Sequence, residues 1–93
     1  IVYRIDLRDS NEFYIGITAK TATTPAKSVR NRWLKHVNRA ERQGLSWPLC
    51  QAIRQNGADA FKVSIVETLR GRADAHKRER ALIAELMPTL NLA

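Results

Sequence analysis

Ile1-Val2-Tyr3-Arg4-Ile5-Asp6-Leu7-Arg8, Asp9-Ser10-Asn11-Glu12 and Phe13-Tyr14-Ile15-Gly16-Ile17 form the stretch that decides the fold. Ile1, Tyr3, Ile5 and Leu7 alternate with Val2, Arg4, Asp6 and Arg8, and a period of two predicts a strand. The tetrad Asp9 to Glu12 is turn chemistry, and Phe13 to Ile17 is aromatic and β-branched, so the segment predicts a β-hairpin. With Arg8 paired to Phe13, Leu7 faces Tyr14 and Ile5 faces Gly16. Cross-strand neighbours share a sheet face, which places Tyr3, Tyr14 and the bare backbone of Gly16 together. Tyrosines on strands are usually packing residues; a glycine beside two of them leaves room for a phosphate to approach the backbone.

Downstream, Thr18 to Lys27 is rich in Thr and Ala and reads as a loop, with Ser28 as helix cap. Val29, Trp33, Val37 and Ala40 then recur at helical spacing over Val29 to Gln43, with Gly44 as the stop. Ser46-Trp47-Pro48 starts a second helix that carries Leu49, Ala52 and Ile53 and stops near Asn56-Gly57. A strand over Phe61 to Leu69 and a helix from Ala73 to Met87, halted by Pro88, complete the order β-β-α-α-β-α. The expected class is α+β, a small three-stranded antiparallel sheet flanked by helices, with residues 1–93 as one domain.

Ninety-three residues can stabilise one small core. Sixteen basic against nine acidic side chains leave a net charge of +7 and a pI near 10.3. Such a surplus implies a polyanionic partner, with nucleic acid the leading candidate and a ribosome-like or merely basic protein the bland one. No small-molecule substrate is indicated. Cys50, the single cysteine, excludes an internal disulfide and a multi-cysteine zinc site. The lone cysteine fits a reducing, intracellular setting, cytoplasmic or nucleoid-associated, and no stretch is long and apolar enough to span a bilayer. The chain opens inside a strand without Met, which reads as a domain trimmed from a longer protein.

Candidate site residues lie mainly on two helices. Arg32, His36 and Arg39 follow one another at i, i+4 and i+7, and with Lys35 and Arg42 they make a cationic stripe that could grip successive phosphates. A run of charge is more often a solvated face, but Arg32 and His36 flank the apolar stripe, and His can exchange protons near neutral pH. On the last helix Ala75, Leu82 and Leu86 make an apolar stripe that includes Glu79. A carboxylate facing a core needs a cation, either an internal Arg or a metal ion. Glu85 lies off the stripe and reads as a surface acid.

These residues, in this order, resemble the GIY-YIG nuclease family. Val2-Tyr3 and Tyr14-Ile15-Gly16 match its paired strand motif, Arg32-Trp33-Leu34-Lys35-His36 its helix motif, and Gly57 with Phe61 its step into the third strand. Glu79 matches its late-helix carboxylate, and Asn91 its final Asn. Ile1 stands where the family has Gly, and the Thr18 to Lys27 loop is longer than in compact members. The resemblance implies a metal-dependent DNA endonuclease. Glu79 would hold one Mg²⁺ or Mn²⁺, Arg32 would clamp the phosphate and Tyr3 would accept the water's proton. Tyr14 would support Tyr3, with His36 as relay, Gly16 would allow close approach, and Asn91 would orient the site. A free tyrosine has a pKa of about 10 and His36 is the easier base by intrinsic pKa. The alternative is a nucleic-acid-binding module that keeps the fold without cutting.

Overall fold

The alternation of the opening residues is realised as β1 (Val2–Leu7), which occupies the centre of the sheet. The structure, a computed structural model, describes residues 1–91. β2 (Phe13–Ile17) and β3 (Phe61–Glu67) pair antiparallel with β1 on either side, giving the order β2-β1-β3. Three helices complete the α+β arrangement: α1 (Pro25–Asn38), α2 (Pro48–Asn56) and α3 (Arg72–Leu86).

A central strand covered on both faces must be apolar on both, and Val2, Tyr3 and Ile5 are each fully buried. Tyr3, Ile5 and Leu7 face α1 and α2, packing with Val29, Ile53 and Phe61. Val2 and Ile15 face α3 through Leu82. The polar members of β1 are neutralised locally: Arg4 Nε donates to Asp6 Oδ1 at 2.8 Å, and its guanidinium lies 3.9 Å from the Phe13 ring centroid. Among the described residues no helix is long and apolar enough to cross a membrane.

The hairpin register differs from the expected one by two residues. Phe13 pairs with Asp6, Tyr14 with Ile5, and Gly16 with Tyr3. The turn is larger because Arg8 N–H donates to Ala60 O at 2.8 Å, Asp9 adopts φ +60°, and Ser10 Oγ accepts from Glu12 N–H. A shift of two preserves parity, so the two tyrosines and Gly16 still share a face.

Helix boundaries move for equally local reasons. Thr24, not Ser28, caps α1, accepting from Lys27 N–H, because Pro25 is suited to the first helical position. Ser28 is buried instead, and its Oγ accepts from the N–H groups of Thr21 and Ala22, folding the Thr-rich loop back onto the helix. The last turn, Arg39–Gln43, widens to a π-helical turn before Gly44 ends it at φ +60°. Leu86 is 41% exposed, so the buried stripe of α3 is Ala75 and Leu82 alone.

Candidate active site

Arg32 from the middle of α1 and the first turns of α3 border one hollow at the end of β2, an edge strand. An open hollow of about 700 Å³ there is lined by Ile17 of β2, Arg32 of α1, and Arg72 and His76 of α3, with Lys20 from the loop. A second hollow of about 310 Å³ also contains Arg32, together with Tyr14, His36, Arg39 and Trp47. Arg32 is common to both. Its Nε is buried and has no hydrogen-bond partner among the described residues.

Tyr3, Tyr14 and His36 pack as a trio. Ring centroids are 6.1 Å apart for Tyr3 and Tyr14 and 5.2 Å for Tyr14 and His36, the latter edge-on. The Tyr3 hydroxyl lies 2.7 Å from His36 Nε2. Burial, then the Arg32 and Arg39 charges, push the His36 pKa down to about 4, so the imidazole is neutral and its tautomer sets which partner of this hydrogen bond donates. Burial, aided by Tyr14, raises the Tyr3 pKa well above the usual phenol value, outweighing the opposing influence of the nearby Arg32 guanidinium. Burial likewise raises Tyr14, whose hydroxyl interacts with that of Tyr3.

The expected proton acceptor and its supporting phenol differ in exposure. Tyr3 is fully enclosed, so water does not touch its hydroxyl, while Tyr14 is half-buried and lines the smaller hollow. Gly16, expected to admit a phosphate, is packed against the same rings. It is buried, and a Cβ added there would lie 2.7 Å from Tyr14 Cε1 and from Tyr3 Cζ and Oη. The glycine makes room for the two tyrosine rings.

Glu79 projects beside this cluster with its side chain 20% exposed. Burial raises its pKa, partly offset by His76 and Arg80, and its charge in turn raises that of Tyr14. The His76 Nδ1 lies 3.9 Å from its Oε1, beyond hydrogen-bond distance. Glu85 is exposed, as expected of a surface acid. No group of three or more His, Cys, Asp or Glu suited to a metal ion occurs among the described residues. A half-buried carboxylate without a bonded cation fits an ion that keeps most of its waters, as Mg²⁺ does.

Asn91 bridges the free edge of β2. Its Nδ2 donates to Ile15 O at 2.7 Å and its Oδ1 accepts from Ile15 N–H at 2.9 Å. Leu90 N–H donates to Phe13 O at 3.0 Å, so the tail closes the strand that carries Tyr14 and Gly16. Lys35 and Arg42 are exposed and line neither hollow, whereas Arg39 lines the smaller one.

The family model for the GIY-YIG catalytic domain matches residues 1–91. The chain belongs to the GIY-YIG family. As a GIY-YIG catalytic domain it is a nuclease domain. It is similar to the solved structure of the catalytic domain of homing endonuclease I-TevI, at 25% identity and a TM-score of 0.75. That match covers 99% of this chain and 96% of the other. No curated protein sequence matches it. Beyond the motif residues of this GIY-YIG domain, the structure adds Arg72 and His76. They stand at i and i+4 ahead of Glu79 at i+7, a helical spacing legible in the sequence but unread there.

Proposed function

We propose that this domain is an endonuclease that hydrolyses DNA phosphodiester bonds, with Arg32 receiving the scissile phosphate. The observation that carries this reading is the buried, unpartnered Nε of Arg32, shared by two hollows and set between the Tyr–His trio and the helix of Glu79. A buried guanidinium donor without an acceptor is costly, and a phosphate oxygen is its natural complement. The likeness to the I-TevI catalytic domain supports the same reaction class.

Glu79 would hold one Mg²⁺ or Mn²⁺, which supplies Lewis-acid stabilisation of the phosphoryl oxygens and of the leaving group. Arg32 binds the phosphate and neutralises charge as it develops. The half-buried Tyr14 hydroxyl orients the attacking water. The proton then travels inward: onto Tyr14, from Tyr14 to Tyr3, and from Tyr3 to His36 Nε2. No phenolate has to persist. Placing a proton on a His of pKa about 4 at pH 7 costs about 4 kcal/mol, which the negative charge of the bound phosphate reduces. Asn91 acts by positioning β2, and Lys35, Arg39 and Arg42 extend the cationic approach for the DNA.

Incubation with supercoiled plasmid and Mg²⁺ tests the reading. The expected result is nicking that disappears in Glu79→Ala while the variant keeps its fold and its DNA retention. Salt-sensitive retention without any nicking by the unmodified domain would identify a binding module instead.

A further inference from the structure

Trp47 is 40% exposed and belongs to neither hydrophobic cluster of the fold. Its backbone is fixed, since Trp47 O accepts the first-turn bond of α2 from Gln51 N–H at 2.9 Å. Trp47 lines the approximately 310 Å³ hollow with Tyr14, Arg32, His36 and Arg39. The Arg39 guanidinium is 5.9 Å from the ring centroid, at the outer limit of a cation–π contact. A large aromatic that contributes to no core and shares a hollow with Arg32 is suited to a planar ligand. Nucleobases stack on such rings with little regard to sequence. A base inside a duplex is already stacked on both faces, so only an unpaired or extruded base can use it.

We propose that Trp47, backed by Arg39, is a stacking platform for an unpaired nucleobase next to the phosphate held by Arg32. The placement beside the scissile phosphate rests on the nuclease reading above. The enzyme would then favour DNA that is single-stranded, branched or locally opened at the cut. Arg39 contributes a phosphate contact to the same strand, and Trp47 contributes none.

The test is binding, in EDTA, of a single-stranded oligothymidylate of about 12 nucleotides, against a strand of the same length that keeps every phosphate but lacks bases. The domain is expected to bind the thymidine strand roughly ten-fold or more tightly. Trp47→Ala should erase that ratio and Trp47→Phe should keep most of it. The salt dependence of binding should be the same in Trp47→Ala as in the unmodified domain and shallower in Arg39→Ala. Because Trp47 packs in no core cluster, Trp47→Ala should melt with the unmodified domain. Equal affinity of the unmodified domain for both strands, or a ratio that survives Trp47→Ala, would overturn the platform. So would displacement of the strand by micromolar thymidine monophosphate, which would mark a mononucleotide pocket. Absence of plasmid nicking with the ratio intact would count against the nuclease reading and leave the platform standing.

Discussion

Gly16→Ala concentrates the packing logic of the site in one methyl group. The backbone of Gly16 is ordinary strand, so alanine strains no dihedral angle there. The cost is spatial. The new Cβ would lie 2.7 Å from three atoms of two tyrosines, against at least about 3.4 Å for ordinary contact, so both rings must move by about 0.7 Å. Tyr3 is fully buried and has nowhere to go without disturbing its 2.7 Å bond to His36. Overpacking of this kind costs about 1–3 kcal/mol, and loss of the hydrogen bond adds about 1 kcal/mol. The expected total of about 2–4 kcal/mol corresponds to a melting point lower by roughly 10–25 °C in a domain of this size. Gly44→Ala is the control: it has φ +60° and no neighbour within 4 Å, so it costs only the backbone strain of about 1–2 kcal/mol and leaves nicking intact. Thermal melts and plasmid nicking on both variants provide the measurement. If Gly16→Ala melts within a few degrees of the unmodified domain and cuts at its rate, the rings are not seated on the glycine.

His36 should make stability pH-dependent. Its pKa is about 4 folded against 6.5 unfolded, so the unfolded chain binds the extra proton between these values. Stability is therefore complete above pH 6.5 and falls as pH drops towards 4, by up to about 3 kcal/mol; His36→Gln should flatten that part of a urea-denaturation series, and an unchanged slope would show the imidazole is not buried neutral. Arg32→Ala removes a guanidinium whose Nε makes no bond, so its melting point should stay within a few degrees while nicking falls about 10²-fold or more. A large destabilisation would mean the arginine is structural. Asn91→Ala loses two hydrogen bonds to Ile15 and should cost about 1–3 kcal/mol. Hydrogen exchange should rise most at the Ile15 amide, beyond the rise shared by the rest of the sheet.

Much of this was legible along the chain because it depends on local periodicity. The alternation in Ile1 to Arg8, the helical stripe through Val29 and Trp33, and the stops at Gly44 and Pro88 yield the order of elements. The shared face of Tyr3, Tyr14 and Gly16 survived a register error, because a shift of two leaves parity intact. Boundaries were less legible where a side chain had two possible partners. Ser28 looks like a cap but is drawn into a buried contact with the loop, and Thr24 takes the capping role. Leu86 fits the stripe of α3 by spacing, yet no element packs over it.

Residue types and their order determined which groups could take part in phosphate chemistry, since spacing along a strand or helix sets which side chains share a face. Tertiary structure decided which of them water can reach. Tyr3 is enclosed because β1 is central and covered on both faces, and Tyr14 is open because β2 is an edge. It also decided that Gly16 seats two rings and that Asn91 closes a strand. Those outcomes depend on contacts between residues as many as 76 positions apart, which no local pattern encodes.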